Sequence, residues 1–271
     1  MKAKIKPIIK WAGGKTQLLE QIIEMMPKEF NTYYEPFIGG GALFFALAPK
    51  KAVINDFNAQ LINLYKQCRD NPKELMKKLN ELSEEHSLDS DKHYYETRAK
   101  FNKCITKNEL SVNSAAYFVY LNKTGFNGLY RLNNKGLFNV PSAKKTTVNL
   151  YYNDNINAAS ELLKCTTILN GDFEEACKNA KQGDFVFFDS PYYNTFDTYQ
   201  AGGFSEEDHR RLAKMFKELT DKGVYCMLTN SDTQFIKDLY SNYNIEEVEV
   251  RRMISWGGEK KIVNEVLITN Y

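Results

Sequence analysis

Apolar positions near the start of this chain fall first at strand spacing and then at helical spacing. "IKPIIKW" is a short apolar run that predicts a strand, and "AGGK" follows it. Leu18, Leu19, Ile22, Ile23 and Met26 then recur on one side of a helix predicted from about Thr16 to Met26. "TYYEPFIGGGALFFALA" reads as strand, glycine turn and helix, and "AVINDFN" as a buried strand ending in a carboxylate. A strand–helix–strand unit of about 30 residues is the signature of an α/β sheet.

The pattern changes between Asn58 and Thr147, where the chain is polar and mostly helical. Leu61, Ile62, Leu64 and Tyr65 mark one helix, Leu75, Met76, Leu79 and Leu82 another, and "NSAAYFVYLNKTG" a third. "NGLYRLNNKGLFNVP" reads as a hairpin or an irregular basic loop turning at Asn-Lys-Gly. Strand–helix alternation then resumes. "TTILNGDF", "DFVFFDSPYY" and "VYCMLTN" predict strands, while "EEACKNAKQG" and "FIKDLYSNY" predict helices. A helix from about Glu206 to Lys222 has Ser205 and Asp208 as a capping box, Leu212, Met215, Phe216 and Leu219 as its buried side, and Gly223 as its stop. "IEEVEVRRMI" and "KIVNEVLITNY" alternate with period two and predict a closing antiparallel hairpin.

The expected architecture is therefore a doubly wound, mostly parallel α/β sheet, formed by residues 1–57 and 148–271 and split by a helical insertion at 58–147. Ligands of such sheets bind at the carboxyl ends of the strands, near the point where strand order reverses. Every motif discussed below falls at such an end.

Composition narrows the class. The 271 residues carry a net charge of only +2, but nine Lys or Arg stand against one acid, Glu109, between Arg98 and Thr147. That segment is either a solvated lysine-rich face or a surface for a polyanion; its interleaved aromatics and asparagines favour nucleic acid. The five cysteines form no CxxC pair, so buried free thiols are expected rather than disulfides or zinc. His86, His93 and His209 are expected on solvated helix faces rather than in a metal site. No apolar run is long enough to span a membrane, and no signal-type segment follows the basic start, so an intracellular, cytoplasmic protein is expected.

Candidate chemistry sits at predicted strand ends. "FIGGGA" (Phe37–Ala42) follows a strand and opens a helix, so its glycines allow close backbone approach to a ligand or simply tight packing. Asp56, ending the next strand, can accept from ribose hydroxyls and favours a nucleoside-bearing cofactor. "WAGGKT" invites a phosphate-loop reading, but that spacing needs glycine at position 9, which is Ile9. "DSPY" (Asp189 to Tyr192) ends an apolar strand and suits an aromatic amine, unless it is an ordinary proline turn. Such an amine is a poor nucleophile because its lone pair is conjugated into the ring. Two acceptors holding both N–H groups, the Asp189 carboxylate and the Ser190 carbonyl, free that pair for attack, and Tyr192 can stack on an extruded base.

Taken in order, "KWAGGK", "EPFIGGGALFF", "INDFN", "NGLYRLNNKGLFNVP", "GDF" and "DSPYY" resemble the Dam-type, α-class DNA adenine-N6 methyltransferases, from Lys10 to the closing "EVLITNY". The resemblance implies a Rossmann-like S-adenosylmethionine (SAM) domain with an inserted target-recognition domain, no metal, and double-stranded DNA as partner of a monomer or weak dimer. By that resemblance Trp11 and Lys15 lie near the methionine end of SAM, Glu35, Phe37, Gly39 and Gly41 shape the cofactor loop, Asp56 holds the ribose, and Asp172 and Phe173 border the adenine. Asp189, Ser190, Pro191 and Tyr192 form the catalytic motif, with Asp189 also beside the cofactor. Asn127, Leu129, Arg131 and Asn133 match a DNA-contacting hairpin, and Arg131 is placed to read a guanine edge. Lys144 and Lys145 follow "NVP" as phosphate contacts, where the family often has Gly-Arg-Tyr, which bears on the sequence read. Arg251 to Lys261 resembles a phosphate-touching loop.

The implied activity is methyl transfer from SAM to the N6 amine of a flipped adenine in a specific duplex sequence, GATC-like as in close relatives. Restriction–modification, repair marking and phage self-protection all fit such an enzyme. The family places proline where Ser190 stands, which leaves a second reading: a catalytically weak paralogue that binds DNA and SAM.

Overall fold

The computed structural model describes residues 5–194, 203–253 and 260–271. Seven strands form one sheet in the order β3-β2-β1-β4-β5-β7-β6. They are β1 (Tyr33–Glu35), β2 (Ala52–Asp56), β3 (Thr166–Asn170), β4 (Phe185–Phe188), β5 (Tyr225–Ser231), β6 (Asn244–Met253) and β7 (Lys260–Thr269). The first five are parallel; β7 runs antiparallel between β5 and β6. β4 is "FVFF", buried at every position, as a central strand covered on both faces requires. Because β2 flanks β1 on one side and β4 on the other, strand order reverses there and opens a crevice at their carboxyl ends.

The helices are α1 (Leu19–Met25), α2 (Ala42–Leu47), α3 (Ala59–Asp70), α4 (Pro72–Leu88), α5 (Ser90–Thr106), α6 (Val112–Thr124), α7 (Asn153–Lys164), α8 (Phe173–Cys177), α9 (Glu206–Asp221) and α10 (Gln234–Leu239). α6 buries Ala115, Ala116, Phe118, Val119, Tyr120 and Leu121 against α3, α4 and α5. α3 packs on that group and also on α7, β2 and β3, so one continuous apolar core runs from the sheet into the helices. α9 starts on the Ser205–Asp208 capping box and stops at Gly223, whose φ of +75° suits a residue without a side chain. No helix among the described residues is long and apolar enough to cross a membrane.

Four expectations change. "IKPIIKW" forms no strand: β1 already has partners on both sides, Pro7 lacks an N–H, and the run instead buries Ile8 and Ile9 in the core. The first helix begins at Leu19, after a 3₁₀ turn at Lys15–Gln17, rather than at Thr16. All three histidines are buried, not solvated. His86 bonds the Tyr120 hydroxyl (2.8 Å) and the Lys145 carbonyl (2.9 Å), His93 pairs with Glu85 (3.2 Å), and His209 sits among the Tyr193, Phe204 and Phe235 rings. Burial lowers the pKa of His209 to about 4, so it is neutral. Cys68, Cys104, Cys177 and Cys226 are buried free thiols, but Cys165 is exposed.

Candidate active site

A cavity of about 630 Å³ opens at the carboxyl ends of β1, β2 and β4, within the range of small-molecule sites. Its lining brings together Trp11, Lys15, Glu35, Phe37, Gly39, Gly41, Asp56, Asn127, Asp189, Ser190, Pro191 and Tyr192, which lie far apart in sequence.

The loop after β1 is shaped by Trp11. A Cβ on Gly39 would lie 2.7 Å from the Trp11 ring and one on Gly40 3.0 Å from the Trp11 Cβ, and Gly39 and Gly41 have φ of +45° and +68°. Only glycine accommodates both the contact and the left-handed backbone. The indole is itself stacked on Tyr130, with centroids 5.8 Å apart, and meets Phe118 edge-on. Phe118 on α6 and Tyr130 therefore support one wall of the cavity through Trp11.

Asp56, at the end of β2, accepts from the backbone N–H of Gly39 (3.0 Å) and of Asn58 (2.9 Å). Burial pushes its carboxyl up to about 6 despite these donors. Glu35, at the end of β1, is 3% exposed and accepts from the Tyr33 hydroxyl at 2.7 Å. Burial, opposed by Tyr33 and reinforced by the negative Asp189, pushes it up to about 8.

Asp189 follows β4. Its Oδ1 pairs with the Lys15 ammonium and accepts from Thr229 Oγ1 at 3.0 Å. Burial raises its pKa, while Lys15 and Thr229 pull it down. Lys15 is buried, donates also to the Gly13 carbonyl (2.7 Å), and holds its Nζ 4.8 Å from the centre of the Tyr192 ring. The Tyr192 hydroxyl donates to Glu265 Oε2 at 2.7 Å. A cation is thus lodged between the carboxylate and the aromatic face of the Asp-Ser-Pro-Tyr motif.

The end of β5 grips the same motif. Asn230 Oδ1 accepts from the Tyr193 backbone N–H (3.0 Å), its Nδ2 donates to Ser190 Oγ (3.4 Å), and Ser231 Oγ donates to the Tyr193 carbonyl (2.8 Å). Thr229, Asn230, Ser231 and Glu265 were not singled out in the sequence. The available signal was polar residues inside otherwise apolar strands, "MLTNS" and "VNEVLIT". A buried polar group needs a partner, and here each partner belongs to the motif.

The other predicted residues lie outside that lining. Asp172 caps α8 through the Glu174 N–H and pairs with Arg211 at 3.0 Å. Phe173 is buried and packs on the cavity-lining Phe37, its ring 5.4 Å away. Leu129 packs against the core, and Arg131 is exposed, its Nε donating to Asn139 Oδ1 at 2.8 Å. Asn133 Oδ1 accepts from the N–H groups of Lys135 and Leu137, so its carbonyl builds the turn; Leu132 and Phe138 make a single bridge in place of a regular hairpin. Lys144 is exposed, and Lys145 Nζ donates to the Lys123 carbonyl at 2.6 Å. Within the Arg251 to Lys261 stretch, 254–259 lie outside the described residues. Among the described residues no cluster of His, Cys, Asp and Glu is arranged to hold a metal.

Comparison with known proteins gives the family. The family model described as D12 class N6 adenine-specific DNA methyltransferase matches residues 11–254. The chain is 42% identical over 279 residues to the Type II methyltransferase M1.LlaDCHI of Lactococcus lactis subsp. cremoris, covering 100% of this chain and 97% of the relative. It is 40% identical to the Type II methyltransferase M.MjaIII of Methanocaldococcus jannaschii, covering 99% and 100%. Identity to the DNA adenine methylase of Escherichia coli K12 is 30%, covering 97% and 95%. With nearly the whole chain matched, the protein belongs to the D12 class N6 adenine-specific DNA methyltransferase family.

Proposed function

We propose that this protein transfers a methyl group from SAM to the N6 amine of an adenine turned out of duplex DNA at a GATC-like site. The observation that carries this reading is the Lys15 ammonium held by Asp189 and covered by Tyr192. A hydrogen-bond donor already fills the place between acceptor and ring that the reading assigns to the target amine.

The cavity suits SAM on its own chemistry. Asp56 has acceptor capacity left for ribose hydroxyls at a strand end, Phe37 offers a ring backed by Phe173, and the Gly39–Gly41 backbone allows close approach. Trp11 and Lys15 are assigned to the methionine end, Glu35 to the same loop, and Asp172 to the adenine through the short α8. When bound, SAM supplies an electrophilic methyl on a sulfonium leaving group. The residues do the rest by orientation. Asp189 Oδ and the Ser190 carbonyl accept the amine's two N–H groups, which draws the nitrogen lone pair out of conjugation. Tyr192, fixed through its hydroxyl by Glu265, stacks on the base; Lys15 withdraws from Asp189 to admit it. Thr229 keeps Asp189 in position while that exchange occurs.

Residues 58–147 act as the target-recognition insertion. Asn127, Leu129, Arg131 and Asn133 are assigned to the hairpin that meets the bases, and Lys144 and Lys145 to phosphates, which contribute salt-sensitive affinity. The enzyme works inside the cell as a monomer or weak dimer on DNA, as a partner of a restriction enzyme. Tritiated SAM with duplexes containing GATC, or the same bases permuted, tests the assignment. Label only in the GATC duplex supports it; equal label in both removes the site assignment, and label in cytosine removes the adenine assignment.

A further inference from the structure

The carboxylates around the cavity are not balanced by the cations around it. Asp56 has the backbone N–H groups of Gly39, Phe57 and Asn58 as donors. Asp189 has Lys15 and Thr229. Glu35 is different: it is 3% exposed, lines the cavity, and has no ion pair with any described residue. Its donors are neutral, the Tyr33 hydroxyl and the Phe44 backbone N–H. The groups that face it are Tyr33 beside it on β1, Asp189 after β4, Lys15 from the 3₁₀ turn, the Phe44 amide on α2 and Tyr65 on α3. Of these only Lys15 is cationic, and in the DNA-free protein it is paired with Asp189. A buried carboxylate without a cation is costly, and a ligand that brings one removes the cost.

Resting on the reading of this cavity as a SAM site, we infer that Glu35 is how the enzyme tells its cofactor from its product: the counter-ion this carboxylate lacks is the sulfonium itself. The geometry places that charge. β1 and β4 are adjacent and in register at Tyr33–Phe185 and Tyr34–Val186, so Glu35 ends two residues short of Asp189 along the neighbouring strand, close enough for the two carboxylates to interact. An amine on Asp189 fixes the reacting nitrogen, and in-line transfer puts sulfur across the methyl group from it, in the crevice that Glu35 also faces. In the transfer the nitrogen lone pair forms the C–N bond, the C–S pair stays on sulfur as a neutral thioether, and the amine's surplus proton passes to the Asp189 carboxylate that holds it and from there to solvent. Glu35 then no longer faces the sulfonium charge. Burial favours its protonated form below about pH 8, so the product complex holds one proton more than the cofactor complex.

The test is calorimetric and needs no turnover. SAM and S-adenosylhomocysteine are titrated into the DNA-free protein between pH 6 and 9, in buffers of different ionisation enthalpy, for the wild type and for Glu35→Gln. In the wild type, SAM binding releases a proton near pH 7 and none at pH 9, and the preference for SAM over its product rises up to about tenfold per pH unit until it levels near pH 8. In Glu35→Gln that extra slope is lost, and affinity falls for SAM on the order of tenfold more than for the product. Titration of the ligands' own amines is common to both proteins and cancels in the comparison. Equal loss for both ligands, or the same slope in both proteins, overturns the inference while leaving the SAM site intact. No binding of either ligand to the wild type overturns the SAM site and the inference together. Should Glu35→Gln not fold, Tyr33→Phe, which removes a donor to the ionised carboxylate, must move the proton-release midpoint to higher pH; an unmoved midpoint overturns the inference.

Discussion

Replacing Ser190 by proline writes the family's usual residue into the loop after β4, and the surrounding contacts set its energetic cost. Ser190 is 2% exposed and its Oγ accepts from Nδ2 of Asn230, which is fully buried. Either Ser190→Ala or Ser190→Pro leaves that amide donor without its partner. A buried unsatisfied donor costs about 1–3 kcal/mol, and the 3.4 Å length of this bond places the loss at the low end, about 1 kcal/mol. Proline alone recovers roughly 0.4–1 kcal/mol by restricting the unfolded chain. The residue before Pro191 is already biased toward extended backbone, so the loop's path is little changed. Ser190→Ala is therefore expected to lose about 1 kcal/mol, or roughly 2–4 °C in Tm, while Ser190→Pro stays within about 1 kcal/mol of wild type. Urea unfolding at constant m reads the stabilities, and single-turnover methyl transfer reads the site. Because the proposed role of position 190 needs only a carbonyl oxygen, the proline variant should transfer methyl within a few-fold of wild type. A thousand-fold gain would show that serine damages the site, and an Ala variant as stable as wild type would show that the Asn230 contact contributes nothing.

Other perturbations test separate parts of the account. Gly39→Ala should raise the KM for SAM and lower Tm, because its Cβ falls 2.7 Å from the Trp11 ring at φ +45°; unchanged values would mean the loop relaxes freely. Lys144→Ala and Lys145→Ala should weaken DNA binding on every sequence and flatten its salt dependence, whereas loss on one sequence alone would mark them as base readers. In the ligand-free protein the carboxyls of Glu35 and Asp56 are raised, from 4.5 to about 8 and from 3.8 to about 6. The folded state then binds more protons than the unfolded one, so the stability these groups contribute is full below about pH 4 and is lost as pH rises through 6 and then 8. Glu35→Gln should remove the later part of that decline in urea titrations at pH 5, 7 and 9; an unchanged profile would contradict its burial as a free acid.

Local rules predicted the sheet because its strands obey them. "FVFF" is apolar at consecutive positions because β4 is covered on both faces, and the start and stop of α9 are written in Ser205, Asp208 and Gly223. The ends of β1, β2 and β4 were legible for the same reason, which is why Glu35, Asp56 and Asp189 could be named. What local pattern does not carry is who meets whom. Lys15 reads as a cofactor contact, and nothing local tells that the fold also lays it on Asp189. Glu265 reads as one acid in an alternating strand until it receives the Tyr192 hydroxyl. His86 reads as solvated because its partners, a tyrosine on another helix and a loop carbonyl, are distant in sequence. "IKPIIKW" has the composition of a strand, but a strand needs an open edge, and only the assembled sheet shows that β1 has none.

The central claim is that Asp189 holds an adenine amine for direct methyl transfer. It is tested by single-turnover reaction of wild type and Asp189→Ala with tritiated SAM and a GATC duplex, the DNA then being digested to nucleosides. The account predicts label in N6-methyladenine with wild type and none with the variant, at DNA affinity much like wild type. Undiminished transfer by Asp189→Ala, or bound SAM with no transfer by wild type on any duplex, would contradict it.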